Sequence, residues 1–301
     1  MMFDWWRTGG RLSGRPATGR GVARWWWLVL LPWLLLGCQS QQAGTMALDG
    51  PPLRVCAGEN ELPYSDREGR GFENAIAREL GEALGRPVRF VWWQDARFVV
   101  RNYLNAGKCD LMIGVDPGHP ELTTSRPYYR SGYVFVTRKG VEVSDWDDPL
   151  LQRAGHIAFV PHSPAEVMLR KIGRYADMFF YMNELVDFKS RRNKYVRWEP
   201  RRLVGDVLSG KAEVAVLWAP EAARYVRDAG GRLTMRLIPD HQTDRRGDPV
   251  PQRYSVALGV RKGDEALRRD LERALAARRG AILDILKAEG IPLLPEPVAK
   301  R

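Results

Sequence analysis

The side chains able to do chemistry are few, and their spacing rules out most catalysis. The four histidines, His119, His156, His162 and His241, never stand four apart, so no helical zinc pair is formed. Cys56 and Cys109 are separated by 53 residues, far too many for a zinc ribbon. No nucleophile elbow, phosphate loop or dinucleotide fingerprint is present. Glu59 and Glu61 are two carboxylates close in sequence, but nothing around them completes a hydrolase. The residues therefore point to a binding protein rather than an enzyme, with no metal and no cofactor of its own.

The third cysteine, Cys38, has a different context. Arg7, Arg11, Arg15, Arg20 and Arg24 precede the charge-free run Trp25 to Leu36, twelve residues long. A membrane-spanning helix needs about 20 apolar residues, so this run reads as the core of an export signal over residues 1–37. Leu35-Leu36-Gly37-Cys38 resembles a lipobox, in which the cysteine becomes the lipidated first residue. Gln39 after it points to the outer membrane, and the lipid would be the chain's sole contact with a membrane. Cleavage further on, after Ala47, is the alternative. With Cys38 lipidated, Cys56 and Cys109 remain, and an even pair in an exported chain favours a disulfide over two buried thiols.

The elements that must position these residues alternate. Residues 38–52 are small and polar, end in Pro and Gly, and read as a tether. Leu53 to Ala57 is an apolar strand. Phe72, Ile76, Leu80 and Leu84 repeat at helical spacing, and Gly85 and Pro87 stop the helix. Val88 to Trp92 alternates as a strand, a second helix spans 97–106, and Asp110 to Val115 is a third strand. Strands alternating with helices predict a parallel α/β sheet. The run Gly132 to Arg138 leaves this unit. Further on, His156 to Val160 is a strand, and Ser163-Pro164-Ala165-Glu166 predicts a capping box with proline in the first turn. A helix at 203–208, strands at 213–217 and 254–260, and helices at 219–227, 264–277 and 281–289 complete the chain.

Charge sets further limits. The whole chain carries +11, and removing residues 1–37 leaves 42 basic against 35 acidic residues, a net +7. That excess tunes solubility and association, and no nucleic-acid signature accompanies it. Residues 166–202 concentrate ten Lys or Arg against five Asp or Glu, interleaved with tyrosines and phenylalanines. The bland reading is a solvated face. The functional reading is a docking surface for an acidic partner, with Lys189, Arg191, Arg192 and Lys194 at its centre.

The element order resembles that of extracellular solute-binding proteins of the amino-acid type. Gly71-Phe72-Glu73 is similar to their Gly-Phe-Asp helix opening, and Pro127-Tyr128-Tyr129 to their strand-entering motif. Leu208 to Val216 resembles the helix-to-strand step of their second domain. Within this group, Arg54-Val55-Cys56, Trp92-Trp93, Asn105 to Asp110, Arg126 to Ser131 and the insert Met182 to Asn193 resemble the MoxJ/XoxJ family, whose members accompany periplasmic pyrroloquinoline-quinone (PQQ) alcohol dehydrogenases, notably methanol dehydrogenase. The resemblance implies a periplasmic binding protein type II-like fold, two α/β lobes with two crossover connections. Residues 53–138 and 254–295 would form lobe 1, 139–253 lobe 2, and 296–301 a tail. It places the first strand, which bears Cys56, beside the third, just before which Cys109 stands, so the two Cα atoms should lie about 4.4–6.8 Å apart.

Against that family the sequence departs at the expected ligand contacts. An amino acid needs a fixed cation for its carboxylate and an anion for its ammonium. Val115 to Thr123, where the solute binders carry their arginine, has none, and Trp218 stands where they carry an acid. Tyr64, Trp92, Trp93, Tyr128 and Trp218 surround the inferred cleft instead, and aromatic walls suit a small apolar or planar ligand. Taken singly, each is more ordinarily a core residue. The helix start at Ser163 offers N–H groups to an anion. The resemblance implies a non-catalytic accessory of a quinoprotein methanol dehydrogenase. The alternative is the binding subunit of an ABC importer for a small organic solute, and an enzyme such as a dehydratase ranks last.

Overall fold

The computed structural model describes residues 48–177 and 199–295. Cys38, Lys189, Arg191, Arg192 and Lys194 lie outside the described residues, as do the export signal, most of the tether and the tail.

The first half forms because apolar residues recur at strand and then helix spacing. Strand β1 (Leu53–Gly58) is almost wholly buried. After two short strands, β2 (Asn60–Glu61) and β3 (Ser65–Asp66), helix α1 runs Phe72–Leu84. Phe72, Ile76, Ala77 and Leu80 form its buried face. Burying each large side chain contributes about 1.5–3 kcal/mol. The Asn74 side-chain oxygen accepts from the N–H groups of Gly71 and Asp66, both at 3.1 Å, fixing the helix start. Gly85, in the left-handed region at φ 62°, ends it. Strands β4 (Val88–Trp93) and β5 (Leu111–Val115) both pair parallel with β1.

The expected helix over 97–106 is instead a 3-10 turn, Ala96–Phe98, followed by a π-helical turn, Val100–Leu104. Val99 and Val100 are β-branched and lose rotamer freedom in a regular helix. Only Val99 and Leu104 anchor the segment among the fully buried apolar residues.

Strands β6 (Leu122–Thr124), β7 (Tyr129–Arg138) and β8 (Ile157–Phe159) follow, with helices α2 (Pro149–Arg153) and α3 (Pro164–Lys171). Beyond residue 198 come α4 (Pro200–Ser209), β9 (Val214–Trp218), α5 (Ala219–Asp228) and β10 (Leu233–Leu237). Strand β11 (Arg253–Arg261) and helices α6 (Glu265–Ala277) and α7 (Arg279–Ala288) close the fold. The strand order is β4-β1-β5-β11-β7-β9-β8, with β10 on β7 and β6 on β11.

Strands β7 and β11 connect the two lobes. Residues 129–132 of β7 pair antiparallel with β11, and residues 133–137 pair with β9. The buried side chains divide accordingly. One core gathers Leu53, Phe72, Leu80, Tyr129, Leu258 and Leu286, and the other gathers Val134, Phe135, Ile157, Phe159, Leu203 and Val216. A smaller cluster surrounds Cys56 and Cys109, which are bonded with their Cα atoms 5.5 Å apart.

The capping box expected at Ser163 does not form. The Ser163 hydroxyl donates to the Val160 carbonyl at 2.5 Å, and the Glu166 carboxylate accepts from the N–H of His162 at 2.7 Å. His162 adopts a positive φ of 60°, which carries the chain over the helix start and brings its own N–H to Glu166.

Candidate functional site

A cavity of about 530 Å³ opens between the lobes. It lies at the carboxyl ends of β4, β5 and β9, where open α/β sheets leave room for ligands.

Two helices start at its wall, one from each lobe, and each places a glutamate there from its first turn. Glu73 comes from α1 and Glu221 from α5. Their position is locally favourable, because a carboxylate complements the positive end of the helix dipole. Two close approaches hold this arrangement. A Cβ on Gly71 would fall 1.9 Å from the Tyr64 carbonyl, so glycine alone lets that loop seat on α1. Tyr64 then packs its ring on Phe72 at 5.3 Å. On β5, Gly114 at φ 78° leaves space that the Glu73 carboxylate fills; a Cβ there would lie 2.2 Å from it.

The electrostatics follow from burial. Desolvation, with repulsion from Glu61, pushes the Glu73 carboxyl up to about 8. Desolvation raises Glu221 to about 7, helped by Glu61 and opposed by a hydrogen bond from the Tyr64 hydroxyl. The Tyr64 and Tyr133 hydroxyls are raised by desolvation and by Glu221. No ion pair or hydrogen-bond donor reaches the Glu73 carboxylate among the described residues, and no described lining residue is Lys or Arg.

The remaining wall is aromatic. Tyr133 on β7, Trp218 at the end of β9 and Tyr254 on β11 form a triangle with ring centroids 5.7, 6.0 and 6.1 Å apart. Trp93 contributes at the end of β4.

Of the residues expected at the cleft, the structure brings Tyr64, Trp93 and Trp218 together there. Trp92 lies elsewhere. Neighbouring strand residues point to opposite faces, and its ring stacks on Phe90 at 5.2 Å. Tyr128 is likewise turned away by strand alternation, into a separate groove with Arg126, Glu272 and Arg279. Ser163 borders another groove beside His162 and Asp244, and Glu166 already occupies an N–H at that helix start.

The expectation that an anionic handle is missing also needs correction. Trp218 holds no charge, but Glu73 and Glu221 supply anions from helix starts. Sequence reasoning missed them because an acid in a first helical turn is ordinary capping chemistry. Their repetition at two helix starts, one just after Gly71 and the other just after the strand end at Trp218, was the available signal. Tyr133 and Tyr254 were missed because a strand tyrosine reads as sheet packing.

No family model matches the sequence. The chain is 43% identical over 259 residues to the protein MoxJ of Methylorubrum extorquens, covering 85% of this chain and 86% of that one. Among solved structures, MxaJ from Methlophaga aminisulfidivorans is 44% identical with a TM-score of 0.76, covering 80% of this chain and all of that one. The periplasmic binding protein XoxJ of Methylobacterium extorquens AM1 is 27% identical with a TM-score of 0.58, over 81% of this chain and all of that one. A two-lobed fold of the periplasmic binding protein type II class and a near-full-length likeness of this degree agree: the chain belongs to the MoxJ family.

Proposed function

We propose that this protein is a non-catalytic periplasmic component of a methanol-oxidation system, which associates with a quinoprotein methanol dehydrogenase and assists its maturation or activation. Kinship with MoxJ along most of both chains carries this reading. The cavity supports it by arguing against amino-acid transport. An amino acid bound there would set its carboxylate beside Glu73 and Glu221, with no described Lys or Arg on the wall to pair it. An unpaired buried carboxylate costs several kcal/mol.

The basic stretch holding Lys189, Arg191, Arg192 and Lys194 is the segment of the sequence we assign to the dehydrogenase. Immobilised dehydrogenase should capture the protein, with an association rate that falls as salt rises, because steering acts over a Debye length of about 8 Å at physiological salt. Arg191→Glu with Arg192→Glu should slow association further while leaving the circular dichroism spectrum unchanged. Failure to associate at low salt would refute the reading.

We place residues 53–138 and 254–295 in one lobe and 139–253 in the other, with the end of β7, residues 133–137, reaching over to pair with β9 and pack in the second core. We also read Cys38 as a lipidated first residue that holds the protein at the outer membrane. Cys38→Ser should then move it from the membrane to the soluble periplasmic fraction, and unchanged fractionation would exclude the anchor.

A further inference from the structure

We propose that the cavity between the lobes is a receptor site for a small organic cation, an alkyl- or aralkylammonium ion without a carboxylate of its own. The inference is independent of the dehydrogenase partnership, and either can fail while the other stands.

The wall chemistry selects charge first. In two-lobed binders, helix starts facing a cleft offer free N–H groups to an anion. Here each of the two helix starts carries its own glutamate into the cavity, so an incoming anion meets Glu73 and Glu221 instead. Glu61 and Asp116 add negative charge to the same wall. Glu73 in particular has no internal cation or donor among the described residues, so an ammonium ion would supply the partner that it lacks.

The rings select what kind of cation. Tyr133, Trp218 and Tyr254 pack on one another within 6.1 Å and together line one side of the cavity, an aromatic wall against which an ammonium head or its alkyl body can lie. Aromatic faces attract organic cations through the ring quadrupole. A bare metal ion fits poorly. No three His, Cys, Asp or Glu side chains among the described residues are grouped as metal ligands, and about 530 Å³ is the size of a small-molecule pocket.

Binding should be linked to protons. Glu73 and Glu221 titrate near neutral pH because they are desolvated and sit near Glu61. Tyr64, Tyr128, Tyr129 and Tyr133 are the other titratable groups in their electrostatic reach, and burial keeps all four protonated in this range. A cation would stabilise the ionised glutamates, release protons on binding, and bind more tightly as pH rises from about 6 to 8.5.

Calorimetry on the purified full chain tests this with matched probes: butylammonium, phenethylammonium and tetramethylammonium, against butanol and 2-phenylethanol as neutral partners and phenylalanine as the carboxylate-bearing one. At least one ammonium ion should bind and release protons, measured as a dependence of the heat on the buffer's ionisation enthalpy. Its neutral counterpart and phenylalanine should bind at least about tenfold more weakly, roughly 1.4 kcal/mol. Glu73→Gln and Glu221→Gln should each weaken it to a similar degree. The comparison among probes on the unaltered protein stands even if a variant misfolds. Equal affinity for the ammonium ions and their alcohols, tighter binding of phenylalanine, or capture of a lysine-bearing protein segment with no response to any free ammonium ion would overturn the proposal.

Discussion

Glu73 shows how one side chain can trade stability for a site. Its carboxyl is ordinary in the unfolded chain, near 4.5, and titrates at about 8 in the fold. Between those values the native state holds a proton that the unfolded state has lost. Stability contributed by that proton is therefore present at low pH and falls as pH climbs from about 4.5 to 8. Glu73→Gln keeps the shape and removes the titration. The variant should match the parent near pH 4.5 and exceed it by roughly 1–2 kcal/mol near pH 8, less than the full shift because the cavity is open to water. Urea midpoints measured at both pH values check this, and an advantage that stays flat or shrinks with pH would contradict it. Asp110 behaves in the opposite sense. The charged groups of Arg54 and Arg261, at 2.6 and 3.1 Å, hold its carboxyl below the usual range despite burial. That contribution is present above its unfolded value and is lost only as pH falls through the lowered one.

Among the elements, those with a strong period were legible from the sequence. The helix over Phe72–Leu84 announced itself by four-residue spacing and a terminal glycine, and β1, β5, β9 and β11 by short apolar runs between turn residues. What was not legible depends on contacts distant in sequence. Strand β10 alternates Leu233, Met235 and Leu237 over five residues and gains its identity by pairing with β7, about a hundred residues earlier. The short β2 and β3 exist only because the loop folds onto α1 through Asn74 and Gly71. The cavity was half legible for the same reason. Tyr64, Trp93 and Trp218 were suggested by aromaticity, while Tyr133 and Tyr254 face each other only because β7 and β11 pair side by side. The bond between Cys56 and Cys109 ties β1 to the turn before β5. Closing a loop of 53 residues constrains the unfolded chain by roughly 4 kcal/mol in the chain-entropy picture.

At the scale of the whole molecule, the two lobes are clasped as well as connected. Helix α5 belongs by sequence to the second lobe, yet Ala223 on it is buried in the first lobe's core beside Gly290. One residue on, Arg224 reaches across with a bidentate pair to Glu289 at 2.6 and 2.7 Å and donates to the Arg70 carbonyl at 2.9 Å. Arg227 donates to the Ala288 carbonyl beside it. The same helix presents Glu221 to Tyr64 of the first lobe, so the clasp and the cavity share one element. The side chains of Arg224 and Glu289 are both 14% exposed, which separates this pair from the solvated surface bridges that contribute little. Removing one partner leaves the other charge desolvated and unpaired, at a cost of roughly 2–3 kcal/mol. Besides β7 and β11, this clasp is a main tie between the lobes, with Met235 and Trp218 resting on the first core and Arg130 facing Asp240 at 3.7 Å, so Arg224→Ala should loosen the cavity rather than unfold either core. Small-angle scattering should show a larger radius of gyration, and hydrogen exchange should quicken in α5 while β1 and β5 stay protected. An unchanged radius together with unchanged exchange in α5 would mean that the strands alone set the lobe spacing.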